Sequence, residues 1–347
     1  MNGGALPASG SGEVREGGRR RSLSRALKVL VSVGIVCILF RRVPAGEVMG
    51  ALRLAKGAPI ILACAVSLFT QVFLAWRLRM LTTKQGIRLG FGRILEVNLS
   101  SMFYVLFVPG GTVGSLMVRV YKLTRAEKKL PEAVAAVVFD RVAATAALCL
   151  VGGGFWLIDR PSTGAAVRLA MTGVLAVTAI LIALLLSRRT ANLLLALARR
   201  VPFAPVASRM EKQIRAVERF HDMGPPVLAL VLGISVLTQL LGLLTFGILG
   251  QSLGLTVSWT TLGWIRGAAI VVAMLPVGVA GIGVREGTIL FLLQDQGVSP
   301  ESALAVSILV TFATVLLVSF VGGLVEGARF FFGEQKKRPR NKSEAAE

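Results

Sequence analysis

Two stretches of this chain put charged residues where lipid is expected. In "MLPVGVAGIGVREGTIL", residues 274–290, Pro276, Gly278, Gly281 and Gly283 should interrupt a helix, and Arg285 and Glu286 follow at once. A glycine-rich turn that opens a helix presents free backbone N–H groups and the positive end of the helix dipole, which suits an anionic group such as phosphate. Arg285 would add a bidentate partner, and Glu286 could orient that guanidinium or bind an amine. The alternative is an internal ion pair that only fixes the turn, because pairing is also how intramembrane charges survive.

In "VVFDRVAAT", Asp140 and Arg141 sit inside a run long enough to span a bilayer. A charge at that depth costs ~3 kcal/mol or more on insertion scales, so both must face protein or water. Arg266, in "GWIRGAA", is a third group of this kind, unless it lies near an interface and snorkels. "VPGGTVGSLMVRVYKL" carries a second Pro-Gly break. Its Pro109, Gly110 and Gly114 allow close backbone approach, but Ser115 stands after the turn in place of an acid. Arg119 and Lys122 are expected to anchor at the headgroups, and the single carboxylates Glu96 and Glu326 to lie close to helix ends.

The elements that must position these residues follow from composition. Of 347 residues, 54% are hydrophobic, the mean hydropathy is +0.73, and the apolar residues fall in long runs. This is the pattern of an all-α polytopic membrane protein. The formal charge of +21 gathers in short stretches between the runs. It therefore reads as topology and not as a nucleic-acid surface. His221 is the only histidine, and Cys37, Cys64 and Cys149 each stand alone in apolar runs. A disulfide framework, a zinc site and a histidine triad are thus unsupported; no metal, cofactor or catalytic residue is expected.

Eight apolar segments are expected: 26–40, 57–76, 94–108, 133–158, 167–186, 227–249, 261–276 and 303–332. Segments 94–108 and 261–276 are short and end in Pro and Gly. Each is expected to be part of a re-entrant hairpin, leaving about six full spans. The competing arrangement has eight full crossings. "SLFTQ" at 67–71 returns as "SVLTQ" at 235–239, Gly86 as Gly254, Pro109 as Pro276, "LPEA" as "SPES", and "VGG" at 151–153 as 321–323. Offsets of 167 to 170 residues in constant order point to a duplication, with repeat A near 57–158 and repeat B near 225–332.

With the N-terminus cytoplasmic, 30 of the 39 basic residues lie inside, among them Arg77 to Arg93 and Arg119 to Lys129. Hairpin A then enters from inside and hairpin B from outside, so the repeats are inverted, as in alternating-access architectures. Four basic residues between Arg41 and Lys56 remain outside in this scheme. Residues 1–25 read as a disordered basic tail, 26–332 as the transmembrane domain, 187–223 as an interfacial cytoplasmic segment, and 333–347 as a basic polar tail. Both termini are expected at the cytoplasmic side of the cell membrane.

Together "VPGGTVG…VRVYKL", "VVFDR" and "LPVGVAGIGVREG" resemble the flippase-like transmembrane domain of the lysylphosphatidylglycerol synthase family, over roughly Leu27 to Phe332. The chain is similar to stand-alone members, since no aminoacyl-transferring domain follows "KKRPRNKSEAAE". The family pattern falls on Pro109, Gly110, Gly114 and Arg119, on Asp140 and Arg141, and on Gly281, Gly283, Arg285 and Glu286. Ser115 replaces the family's usual Glu, and Asp140 stands where Glu is more common. The expectation is a translocator of a phospholipid or lipid-linked precursor, with the phosphate held between the hairpins by Arg141 and Arg285. The alternatives are a membrane-embedded transferase acting on lipid phosphate, or an accessory subunit holding a partner lipid- or glycan-modifying enzyme.

Overall fold

The computed structural model describes residues 45–107, 112–159, 224–274 and 283–335, with short helical pieces at 168–169, 172–173 and 175–176. Every described element is helical: α1 (Ala45–Leu54), α2 (Gly57–Lys84), α3 (Phe91–Phe107), α4 (Thr112–Glu127), α5 (Leu130–Asp159), α6 (Pro225–Ser252), α7 (Trp259–Ala273), α8 (Val284–Gln294) and α9 (Pro300–Thr311). A π turn (Phe312–Leu316) carries α9 without interruption into α10 (Leu317–Gln335). Among the described residues, α2, α5, α6 and the α9–α10 helix are long and apolar enough to cross a membrane. Their outer faces carry Ile61, Phe69, Leu157, Leu244 and Phe320 exposed. A stripe of that kind belongs against lipid.

The expected spans 26–40 and 167–186, the tail 1–25 and the segment 187–223 lie outside the described residues or nearly so, as does most of 333–347. The stretch 41–56, read from sequence as an extracellular loop, contains α1. Val48, Ala51 and Leu52 of α1 pack into the core while Glu47 and Arg53 stay exposed, and this amphipathic turn carries α1 against α9.

Helices α2 and α6 pack side by side and antiparallel. The Lys56 N–H donates to the Ser252 carbonyl at 3.1 Å, and Arg77 reaches Ser235 at 3.0 Å. Each helix ends in a left-handed glycine, Gly86 (φ 76°) and Gly254 (φ 75°), which turns the chain into the next helix. Beyond each glycine come two helices separated by a break: α3 and α4 in the first half, α7 and α8 in the second. The members of each pair pack on one another.

The turns that flank each pair lie close together. Lys129 Nζ, before α5, donates to the Gly86 carbonyl at 2.8 Å. In the second half, the turn Leu253–Ser258 and the turn Gln296–Ser302 together line one cavity of about 330 Å³. Since α2 and α6 are antiparallel, the two turn regions lie at opposite ends.

The last helix of each half crosses the first helix of the other half's pair. On α5, Gly152 meets Gly267 of α7 so closely that a Cβ on Gly267 would lie 2.8 Å from the Gly152 Cα. On α10, a Cβ on Gly322 would lie 2.1 Å from the Leu99 carbonyl oxygen of α3. Backbones can approach this way only where a side chain is missing, the device that packs helices in lipid. Trp264, Phe246, Leu249 and Leu293 fill the core of the second half; Leu78, Ile94 and Leu123 fill that of the first.

Candidate functional site

Among the described residues, two clusters of arginines and carboxylates lie inside the bundle, one in each half. In the first half, Asp140 of α5 accepts from Arg77 Nε of α2 at 2.7 Å and from Arg119 Nη1 of α4 at 3.2 Å. Arg119 Nη2 also donates to Asn98 Oδ1 of α3 at 2.7 Å, and the Asn98 amide donates to Gln71 Oε1 of α2 at 3.0 Å. Arg77 is 2% exposed and Asp140 4%. Such an ion pair persists in low dielectric only because further donors and acceptors complete it, here Asn98, Ser101 and Ser235.

Arg141, the next residue along α5, is turned toward a different neighbour but stays in the field of Asp140 and Arg77. Its guanidinium has no hydrogen-bond or ion-pair partner among the described residues, and it lies at the wall of an apolar groove between α4 and α5. Adjacent helix positions point about 100° apart, so Arg141 reaches the groove while Asp140 reaches the arginines of α2 and α4. Asp140 pairs with arginines on two other helices, and Arg141 has no such partner among the described residues.

The second cluster gathers where α8 begins. Gly283 has φ 88° and its N–H donates to Glu286 Oε2 at 2.6 Å, so Glu286 closes the first turn of α8 as a capping-box acid. The other Glu286 oxygen accepts from the Thr311 hydroxyl of α9 and from Arg285 Nη2 at 3.3 Å, and Arg285 also bonds Thr311. Arg266 of α7 donates to Gln239 Oε1 of α6 at 3.1 Å and lies flat on Gly242, where a Cβ would strike it. Arg266 is thus held inside the bundle. Gly114 is buried at the start of α4. Pro109, Gly110 and Gly281 lie outside the described residues.

Counting along the helices at 1.5 Å per residue, Asp140 lies about 15 Å from the start of α5 and Thr311 about 16 Å from the start of α9. Those starts are at opposite ends of the molecule, so each cluster lies about a third of the way in, from opposite ends.

Three cations assigned from sequence to the flanks belong inside. The apolar run ends at Trp76, which predicts Arg77 in the cytoplasmic loop, but α2 continues to Lys84. Arg119 pairs with Asp140 and is not a headgroup anchor. Lys122 is buried and pairs with Glu326 of α10, which also accepts from Tyr104 at 3.3 Å. Glu96 pairs with Arg93 at 2.5 Å and Arg329 at 3.0 Å, tying α3 to α10 near their common end. At the opposite end Asp159 accepts from Thr260, Thr261 and Trp264 at 3.0, 2.9 and 2.8 Å, tying α5 to the first turn of α7. The signal that could have located Arg77 and Arg119 is Asp140: a carboxylate deep in an apolar run demands cations from other helices.

A helical bundle with apolar outer faces and charged groups held in its interior is a membrane protein. The model of the family described as "Lysylphosphatidylglycerol synthase TM region" matches residues 25–322, and the chain belongs to that family. No curated protein matches the chain.

Proposed function

We propose that the chain translocates a phospholipid or a lipid-linked precursor across the cell membrane, binding the headgroup phosphate between two re-entrant hairpins, α3–α4 and α7–α8. The observation that carries this is the pair of arginine-bearing clusters inside the bundle, one in each half. Cations held there without lipid-facing exposure fit a site that receives an anion inside the bilayer.

The antiparallel α2–α6 pair and the closeness of the turns that flank each helix pair support an inverted repeat. So do the matched crossings at Gly152 and Gly322. Two halves of similar build can exchange inward- and outward-facing shapes at small cost. Lys84, Arg88, Arg93, Lys128, Lys129 and Arg329 gather at the end bearing Gly86, which fits that end in the cytoplasm. Arg141, Arg266, Arg285, Glu286 and the glycine-bearing stretches 109–114 and 281–283 form the binding set. Moving a lipid makes and breaks no covalent bond, so the site needs no general base and gives no residue a catalytic role.

Reconstitution into vesicles with a fluorescent lipid, followed by reduction of outer-leaflet label with dithionite, tests this. Translocation should exceed that of empty vesicles and should fall when Arg141 and Arg285 are both replaced by Gln. Equal rates with and without protein, across several anionic lipids, would overturn it.

A further inference from the structure

The groove beside Arg141 has about 520 Å³ and is walled by Leu116 and Val120 of α4 and Val134, Val138 and Val142 of α5. Its one charged wall residue is Arg141, at the end nearer the middle of α5. Resting on the lipid-translocator reading above, we propose that this groove holds one acyl chain of a lipid whose phosphate sits on Arg141, and that the lipid's headgroup is net anionic.

The occupant follows from chemistry on both sides of the groove. Aliphatic walls of this kind bind hydrocarbon, and a guanidinium in such a place gains most from an oxyanion that accepts two parallel hydrogen bonds. The sign of the headgroup follows from the charges inside the bundle. Around Asp140 stand Arg77, Arg119 and Arg141; Glu286 pairs with Arg285, whose charge faces that of Arg266 on α7. Both carboxylates are taken by arginines already, and Glu96 and Glu326 are taken by Arg93, Arg329 and Lys122. No Asp or Glu occurs in the sequence between Asp159 and Glu211 or between Glu16 and Glu47. The apolar segments therefore offer no spare acid to an ammonium group, and a headgroup bearing one adds positive charge to an existing excess. Lysylphosphatidylglycerol, the lipid in the family's description, has such a headgroup and is disfavoured here.

The purified full chain in detergent, titrated with lipids and read by native mass spectrometry, tests this. Phosphatidic acid and phosphatidylglycerol should bind about tenfold or more tightly than phosphatidylcholine and lysylphosphatidylglycerol, the difference made by one or two charge-assisted contacts. Arg141→Gln should remove that preference, and Arg141→Lys should keep part of it. Val138→Trp should weaken both anionic lipids while leaving Asp140 and Arg141 in place. Inorganic phosphate should compete poorly, because it lacks the chain.

Binding of lysylphosphatidylglycerol as tight as that of phosphatidylglycerol would overturn the charge assignment. Unchanged lipid affinity in Val138→Trp, or full competition by inorganic phosphate, would overturn the acyl groove. Transport without headgroup preference leaves the translocator standing and removes this inference. Anionic preference without transport does the reverse.

Discussion

Ser235 and Gln239, one helical turn apart on α6, each touch a different arginine cluster: Ser235 accepts from Arg77 at 3.0 Å and Gln239 from Arg266 at 3.1 Å. One face of one helix thus spans both halves of the site. Removing either acceptor as Ser235→Ala or Gln239→Leu leaves a buried guanidinium short of a partner, at a cost of about 1–3 kcal/mol. In a double-mutant cycle on the translocation rate, the two changes should be non-additive if the clusters serve one ligand. Additivity within about 0.5 kcal/mol would mean that they act independently.

Asp140 should matter more to folding than to binding. Asp140→Asn leaves Arg77 and Arg119 facing each other in the protein interior, and the expected loss is about 3–5 kcal/mol of unfolding free energy. The pair of changes Arg77→Met with Asp140→Leu should recover most of it, whereas Arg141→Gln should leave stability nearly unchanged. Denaturant titration of the purified protein in detergent distinguishes these. Equal destabilisation by Asp140→Asn and Arg141→Gln would show that the two residues share one role.

Part of this arrangement was legible in the sequence. The apolar runs at 57–76, 133–158, 227–249 and 303–332 mark the four long described helices, because hydropathy and length alone set a span. The Pro-Gly stretches fall between α3 and α4 and between α7 and α8, outside the described residues. The membership of Arg77, Arg119 and Lys122 in the interior was not legible. Counting basic residues at the ends of apolar runs assigns each to a flank, and only the three-dimensional partner, Asp140 or Glu326, draws it inside. The short helix α1 escaped for a related reason: its apolar face is three residues wide and its neighbours are basic, so composition reads it as a loop.

The helix crossings should tolerate no added carbon. Gly267→Ala and Gly322→Ala each push a Cβ against backbone atoms of another helix and should cost about 1–3 kcal/mol or more by overpacking. Gly154→Ala, two residues from Gly152 with nothing within 4 Å of the added carbon, should stay within about 0.5 kcal/mol. Thermal unfolding of the three variants in one detergent decides it. Similar melting of all three would mean that the crossings relax freely.

The two ends of the molecule should differ in access. In a chain whose native Cys37, Cys64 and Cys149 are replaced, single cysteines at Thr256 and Gln296 should both react with an impermeant thiol reagent added outside intact cells. Cysteines at Lys84 and Lys128 should react only after the membrane is opened. Labelling of only one member of either pair would exclude the hairpin that joins them.

The π turn at Phe312–Leu316 has a consequence for how the halves compare. Pro131 and Pro300, which open α5 and α9, stand 169 residues apart, but the crossing glycines Gly152 and Gly322 stand 170 apart. Under the repeat proposed above, the second half carries one more residue in this interval than the first, and the π turn lies in that interval. A single insertion in a regular helix would swing everything beyond it by about 100°. Widening one turn instead swallows the extra residue, so Gly322 still meets α3 as Gly152 meets α7. The carbonyl of Ala313 in the widened turn is taken by the Ser67 hydroxyl at 2.8 Å. The serine that opens "SLFTQ" on α2 thereby braces the widened turn from the other half of the molecule, and its loss should loosen the hold of α2 on that turn.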